Sequence, residues 1–157
     1  CASNLSGAVG GIGAGSVNGN LIVSIATAEI GVKEGSPRML EYTNGINFAW
    51  CASFVSWVYK QAGQPFGNGS KNAWLIPGVS GLLSYLQSKG EFHTVGDGYI
   101  PSPGDIVIFK NNGESHTGIV EKADENGFST IEGNASHQVK RNDYKYTYKG
   151  LTGFGKL

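Results

Sequence analysis

The chain has 157 residues, 39% of them hydrophobic and 15% charged, and its 12 basic and 12 acidic side chains leave a formal net charge of zero. This length suits one domain with its own hydrophobic core, and the balanced charge argues against a nucleic-acid partner or an anionic membrane surface. The sequence contains no run of about 18 apolar residues, so it predicts no membrane span.

The first segment, residues 1–19, is rich in Gly, Ser and Asn and has no sustained hydrophobic period. This composition is typical of a linker. We therefore predict a flexible arm over residues 1–19 that tethers the chain to another domain, and a folded domain over residues 20–157. We expect the folded domain to be a monomer.

Three helices are predicted in the first half of the folded domain. Each has apolar residues three or four positions apart, as one face of a helix requires, and each is followed by a glycine that can end it. The predicted helices cover residues 21–30, 51–62 and 81–89.

The second half of the domain has the pattern of β-strands. A short apolar run after a Pro-Gly-Asp turn, residues 106–109, suits a central strand, and alternating tyrosines predict a strand over residues 144–148 with one aromatic face. Further strands are predicted over residues 116–122, 128–132 and 153–157. Helices followed by strands predict an α+β fold, with N-terminal helices packed on a C-terminal antiparallel sheet.

Cys51 is the one cysteine inside the predicted folded domain, and it lies where the second helix begins. A cysteine attacks as the thiolate, and the positive end of a helix favours that form. Cys51 also starts the apolar stripe of the helix, so a partner from the sheet can reach it. The pattern predicts a nucleophilic thiol; the alternative is an unreactive cysteine buried in the core.

A nucleophilic thiol needs an imidazole partner, and the chain has three histidines. His93 lies in a polar connection and His137 in a predicted turn, so both are expected on the surface. His116 opens the strand that follows the central strand, where its ring can reach the edge of the core. We therefore choose His116 as the base, against the alternative of a strand-end histidine without a catalytic role.

A histidine that acts as a base needs a third group that fixes its tautomer and orientation. Glu132 and Asn134 lie on the next predicted strand, two residues apart, and such residues point to the same face of a strand. Both are therefore expected to turn towards His116. The alternative is a strand end that runs into an ordinary polar turn.

Four segments resemble the motifs of the CHAP family, the cysteine- and histidine-dependent amidohydrolases and peptidases. Residues 49–58 (AWCASFVSWV) resemble its nucleophile motif, and residues 103–109 (PGDIVIF) resemble the strand before its histidine. Residues 116–120 (HTGIV) resemble its histidine strand, and residues 131–134 (IEGN) its third motif. The segments occur in the family's order, and the similarity extends from about residue 21 to residue 157.

The resemblance implies a papain-like (NlpC-like) fold and hydrolysis of an amide bond in bacterial peptidoglycan. The bond is either the N-acetylmuramoyl-L-alanine amide or a peptide bond of the cross-bridge. Carried over to this sequence, the resemblance implies that Cys51 attacks the carbonyl, His116 is the base and then the acid, and Glu132 orients His116. Asn134 matches a position that assists the imidazole or the oxyanion. Such an enzyme acts outside the cell or in the cell wall, after secretion or delivery by a phage or conjugation apparatus.

The sequence departs from the family in one respect. Some members bind calcium in an acidic loop before the cysteine, whereas residues 41–48 of this chain (EYTNGINF) contain one carboxylate. We therefore predict no metal and no other cofactor.

Two further residues are candidates for contact with the substrate. Trp50 adjoins the nucleophile and is expected to form a wall of the cleft, while Trp57 is expected in the core. Ser115 adjoins His116 and is the second candidate.

Two alternative functions remain open from the sequence. The first is an NlpC-type cysteine peptidase of the cell wall, in which the third catalytic residue is commonly another histidine rather than the glutamate found at Glu132. The second is a catalytically inactive module that binds the cell wall. The reactivity of Cys51 towards iodoacetamide distinguishes an active thiol from such a module.

Overall fold

The computed structural model describes residues 17–157. Most of the predicted arm, residues 1–16, lies outside the described residues. Four helices and six strands follow within the described range. They are α1 (Val17–Ala28), α2 (Pro37–Tyr42), α3 (Cys51–Gln61), α4 (Val79–Ser88), β1 (Phe92–Thr94), β2 (Ile106–Asn111), β3 (Glu114–Ala123), β4 (Phe128–Ala135), β5 (Gln138–Tyr144) and β6 (Leu151–Gly155). No helix in this range has the length and apolar character needed to cross a membrane.

The six strands form one antiparallel sheet in the order β1-β6-β2-β3-β4-β5. The helices precede the sheet in sequence, and helix α3 contacts both β3 and β4. The predicted α+β fold of the papain-like type is therefore confirmed. The sheet places β3, the predicted histidine strand, beside β4, the predicted strand of Glu132.

Helix α1 begins at Val17, four residues earlier than predicted and inside the segment assigned to the arm. The start of this helix was not predicted because the segment is rich in glycine, which weakens helical propensity. Its first turn contacts the Pro-Gly-Asp turn before β2: a Cβ on Gly104 would lie 2.6 Å from the Cα of Gly19. Two glycines therefore permit a contact that holds the start of α1 against the sheet.

The prediction of a strand over residues 144–148 is wrong. Strand β5 ends at Tyr144, and the chain then turns so that β6 can pair between β1 and β2. The tyrosines still share one cluster, because Tyr144 and Tyr148 lie edge to face with ring centroids 4.7 Å apart. The alternation reflected this aromatic cluster rather than a strand. Helix α2 and strand β1 were not predicted, because both are too short for a clear period.

The core lies on both faces of the sheet. One face packs against the helices through a cluster that includes Ile108, Ile119 and Ile131, and α3 is the most buried helix of this layer. The other face carries a second cluster that is rich in aromatic rings, with Phe109 and Phe128 among its members. Residues of β3 and β4 therefore alternate between the helix layer and the aromatic cluster.

Two glycines permit unusually close contacts, one between α3 and β4 and the other between β3 and β4. A Cβ on Gly133 would lie 2.5 Å from the Cβ of Phe54 on α3, and a Cβ on Gly118 would lie 2.6 Å from the Cγ of Glu132. Gly133 lets β4 approach the first turns of α3, and Gly118 leaves space on β3 for the side chain of Glu132. Both approaches occur beside the predicted catalytic residues.

Gly133→Ala tests the contact between β4 and α3. We expect it to lower the free energy of unfolding by about 2–3 kcal/mol, as overpacking of a close-packed core does. Urea unfolding measures the change. Gly78→Ala is the control, because a Cβ at Gly78 meets nothing within 4 Å and the backbone there is extended; its cost is expected to stay below about 1 kcal/mol. Equal effects of the two substitutions would contradict the close contact.

Candidate active site

Cys51 is the first residue of α3, as the sequence predicts. Its thiol is free and half-buried, and it packs against the helix-side core. The preceding residue, Trp50, is the N-cap but makes no side-chain hydrogen bond to the helix start. The N–H groups of the first turn therefore lack a side-chain cap, and they carry the positive end of the helix dipole.

His116 lies on β3 and connects the thiol with the sheet. Its Nε2 lies 2.8 Å from Oε1 of Glu132, and Cys51 is near enough to the ring to raise the pKa of the imidazole. Because Nε2 is occupied by Glu132, Nδ1 is the nitrogen left for the sulfur. The side chain is 29% exposed, and Phe109 stacks against it with ring centroids 6.2 Å apart. The ring is therefore accessible at one edge and supported on one face.

Glu132 is 1% exposed, yet both of its carboxylate oxygens are hydrogen-bonded. Oε1 accepts from His116 and, at 3.1 Å, from Nδ2 of Asn142. Oε2 accepts from the hydroxyls of Thr130 at 2.6 Å and Tyr144 at 2.7 Å. The carboxylate thus has a set of donors that compensates the loss of water.

These three supporting donors were not predicted from the sequence. Thr130 precedes Glu132 by two residues on the same strand, so the alternation of a strand places the two side chains on one face. This alternation is the signal in the sequence that points to Thr130. Asn142 and Tyr144 come from β5, and only the pairing of β4 with β5 brings them to the carboxylate.

The charges of the three groups support one another. Burial acts against a charged imidazole, but the neighbouring Cys51 and Glu132 outweigh it and raise the pKa of His116 to about 10. Burial likewise disfavours an ionised Glu132, but the hydrogen bonds from His116, Thr130 and Tyr144 hold its pKa below the usual value. At neutral pH the pair is therefore imidazolium and carboxylate.

Asn134 does not lie where the alternation of a regular strand would place it. The pairing of β4 with β5 shifts register between Glu132 and Ala135, and Asn134 has a φ of 55° in the left-handed region. Because of this bulge, residues two apart no longer share a face. Within residues 17–157 no hydrogen bond joins Asn134 to the other three predicted residues. Its role stays a prediction.

Trp50 is fully buried, which contradicts the expectation that it forms a wall of the cleft. Its ring packs near Tyr42, with centroids 5.8 Å apart, and its Nε1 lies 3.2 Å from Oε1 of Glu34. The indole N–H needs a partner when the ring is buried, and Glu34 provides it. Trp50 therefore anchors the segment before Cys51. Trp57 is buried as predicted.

The other two histidines pair with other carboxylates, His93 with Asp97 and His137 with Glu34. His93 stacks on Tyr99 with centroids 3.8 Å apart and bonds to Asp97. His137 is exposed in the turn between β4 and β5. Both are near the surface, as expected.

A groove of about 440 Å³ borders His116 on the aromatic side of the sheet. Its lining includes Phe109, Tyr144 and Tyr148, together with Ser115. Tyr148 is 50% exposed, so much of its surface is available to a ligand. Ser115, the second candidate for substrate contact, thus borders an open groove beside the predicted base. Contact with a substrate stays a prediction.

Within the described part of the chain, no group of three or more His, Cys, Asp or Glu side chains is arranged to hold a metal ion. The loop before Cys51 holds Asn44, whose side-chain amide lies 3.4 Å from that of Asn72. Its other side chains include the exposed Ile46.

Comparison with known families gives one match. The family described as CHAP domain matches residues 42–134, which is more than half of the chain. The matched range contains Cys51, His116 and Glu132 and ends at Asn134. A search of the curated proteins finds no match.

Glu132→Gln tests the charge coupling at the site. The pKa of His116 is expected to fall from about 10 towards its ordinary value of 6.5, because an amide does not stabilise the imidazolium as a carboxylate does. NMR titration of the imidazole resonances measures the change. Glu121→Gln is the control, because Glu121 lies on β3 with His116 but pairs with Arg141. A pKa of His116 that moves equally in both variants would contradict the coupling.

The same coupling makes stability depend on pH. The folded-state pKa of His116 lies above the unfolded value of 6.5. The contribution of His116 to the free energy of unfolding is therefore complete below about pH 6.5 and is lost as pH rises towards 10. The difference in free energy of unfolding between the wild type and Glu132→Gln is therefore expected to shrink over this range. A difference that grew with pH would contradict the direction of the shift.

Proposed function

Because this chain belongs to the CHAP domain family, whose members are in general peptidoglycan hydrolases, we propose that it hydrolyses an amide bond of bacterial peptidoglycan with Cys51 as the nucleophile. The observation that carries the proposal is the continuous contact from Cys51 through His116 to Glu132 at the start of α3. A thiol, a base and a buried carboxylate in this order are the components of thiol-dependent acyl transfer.

In the first half of the proposed reaction, the thiolate of Cys51 attacks the amide carbonyl carbon and a C–S bond forms. The carbonyl electron pair moves to oxygen, and the uncapped N–H groups of the first turn of α3, including that of Cys51, donate hydrogen bonds to this oxyanion. His116 then gives a proton to the amide nitrogen as the C–N bond breaks. The amine leaves, and a thioester on Cys51 remains.

In the second half, neutral His116 takes a proton from a water molecule, whose oxygen attacks the thioester carbon. The C–S bond breaks, the carboxylic acid leaves, and the thiolate and imidazolium are restored. Glu132 holds Nε2 of His116 through both halves, so that Nδ1 faces the sulfur and the leaving nitrogen. Asn134, near the end of β4, is proposed to assist the imidazole or the oxyanion.

The substrate is proposed to lie along the groove that borders His116, with Ser115 and Tyr148 in contact with it. The N-acetylmuramoyl-L-alanine amide and a cross-bridge peptide bond require the same catalytic groups. We propose action on one of these two bonds, and mass spectrometry of digested peptidoglycan identifies which of them is cut. Since peptidoglycan lies outside the cytoplasmic membrane, we propose that the domain acts there, as a monomer tethered through its N-terminal arm.

Cys51→Ala tests the proposed nucleophile. The substitution is expected to abolish the clearing of purified cell walls, because no other group in the proposed mechanism attacks the carbonyl, and to leave the far-UV circular dichroism spectrum unchanged. Turbidity of a cell-wall suspension measures the clearing. Cys1→Ser is the matched control, because it removes the only other thiol of the chain, and full clearing is expected.

Undiminished clearing by Cys51→Ala would overturn the proposal. Iodoacetamide provides a second, substrate-free measurement in the Cys1→Ser background, where Cys51 is the single thiol. Fast alkylation at neutral pH is expected. Inert Cys51 combined with tight binding to cell walls would favour an inactive wall-binding module instead.

Tyr148→Ala tests the groove. Loss of a ring that stacks on a ligand costs about 0.5–1.5 kcal/mol, so KM for soluble peptidoglycan fragments is expected to rise about 2- to 12-fold, with kcat within about twofold. Steady-state kinetics measure both constants. Ile100→Ala is the control, because Ile100 is also exposed but does not line the groove. An unchanged KM in Tyr148→Ala would exclude the groove as the substrate path.

A further inference from the structure

Hydrogen-bond donors occupy about all of the lone-pair sites of the Glu132 carboxylate. An ionised carboxylate offers about four such sites, and four donors surround this one. One donor, His116, belongs to the proposed reaction. The other three are supplied by Thr130, Asn142 and Tyr144, and none of them contacts the thiol. Their arrangement suggests that they act through the carboxylate.

We propose that Tyr144 is a positioning residue of this active site: its hydroxyl fixes the carboxylate of Glu132 in the orientation that holds His116 towards Cys51. The inference rests on the proposed function, because it assigns a role within the same thiol mechanism. Tyr144 does not touch the reacting atoms. It acts through Glu132, and Glu132 acts through His116.

The ring of Tyr144 is held firmly enough to fix a hydrogen bond. It packs against Phe109 with centroids 4.8 Å apart, against Phe128 at 5.4 Å and against Tyr148 at 4.7 Å. Three rings of the aromatic cluster therefore restrict the direction of its hydroxyl. Phe109 also stacks on His116, so one cluster supports the imidazole and the residue that orients its carboxylate.

The hydroxyl of Tyr144 is a donor at every pH at which the enzyme is expected to work. Burial and the nearby charge of Glu132 raise the pKa of Tyr144 far above its ordinary value. The phenol therefore stays protonated and donates to Oε2. The other donor to Oε2 is the hydroxyl of Thr130, and without Tyr144 this buried oxygen would keep a single hydrogen bond.

Several other charged or titratable groups surround the pair. Cys51 on α3 faces His116, and the Cα of Lys140 lies opposite that of Glu132 in the β4–β5 pairing. Across the groove lie Glu114, Lys149 and the hydroxyl of Tyr148. All of them are present in the variants used below, so differences between variants report on the removed hydroxyl.

Tyr144→Phe removes the hydroxyl and keeps the ring. The matched control is Tyr146→Phe, because the hydroxyl of Tyr146 donates to the backbone oxygen of Asp124 and its ring packs in the same cluster. The first measurement is the rate of alkylation of Cys51 by iodoacetamide from pH 5 to pH 10, in the Cys1→Ser background. The second is the clearing of purified cell walls over the same range.

The hydrogen bond of Tyr144 holds the carboxylate of Glu132 where it faces Nε2 of His116, and a carboxylate that turns away stabilises the imidazolium less. Loss of one hydrogen bond to a charged group changes the corresponding equilibrium constant about tenfold or more. Alkylation of Tyr144→Phe at pH 7 is therefore expected to fall about tenfold and to recover at high pH, where the thiolate forms without the imidazolium. The alkaline limb of wall clearing is expected to move down by about one pH unit, with KM within about twofold.

A purely structural role of Tyr144 would lower the melting temperature but leave the shape of both pH profiles unchanged. Alkylation profiles of Tyr144→Phe and Tyr146→Phe that coincide would therefore overturn the proposal. If Tyr144→Phe fails to fold, Thr130→Val removes the other donor to Oε2 with little change in shape and leaves the hydroxyl of Tyr144 as the single donor to this oxygen, so an unshifted profile is expected. A profile shifted by Thr130→Val would assign the positioning to Thr130 and overturn the proposal.

Because alkylation needs no peptidoglycan, the two proposals fail separately. A shifted alkylation profile in an enzyme that clears no cell walls would overturn the proposed function and support the role of Tyr144. Wall clearing with coincident alkylation profiles would support the function and overturn the role of Tyr144.

Discussion

The burial of one negative charge organises this molecule. A carboxylate away from water is tolerated only when its oxygens are hydrogen-bonded and a positive partner is near. Glu132 meets both conditions through strands β3, β4 and β5, which supply the imidazole, the neighbouring hydroxyl and the two donors across the hairpin. The pairing of these strands is thus both the scaffold of the sheet and the condition for an ionised Glu132.

Helix α3 brings the thiol to this charge. Its buried face fixes the helix between the other helices and the sheet, so the position of Cys51 follows from core packing rather than from a loop. Two positions without a side chain make the approach possible: Gly133 admits Phe54, and Gly118 admits the side chain of Glu132. The buried indole of Trp50, bonded to Glu34, anchors the turn that leads into the helix.

Local sequence signals predicted the parts of the site that depend on local structure. The start of α3 at Cys51 follows from its apolar period, and His116 and Glu132 follow from their places in successive strands. These signals failed for residues whose positions depend on the pairing between strands. The bulge that turns Asn134 and the contact of Tyr144 with Glu132 arise from the register of β4 and β5. Trp50 was misplaced because adjacency to a nucleophile in sequence does not determine burial.

The contact between Gly19 and Gly104 lies apart from the candidate active site. The amide of Gly104 bonds to the carbonyl of Val120, which lies four residues along β3 from His116, or about 13 Å at the rise of a strand. Val17, where the described chain starts, is thus anchored at the end of the sheet remote from the groove. The contact that anchors α1 and the groove beside His116 therefore lie at opposite ends of β3, so that a change at one end need not disturb the other.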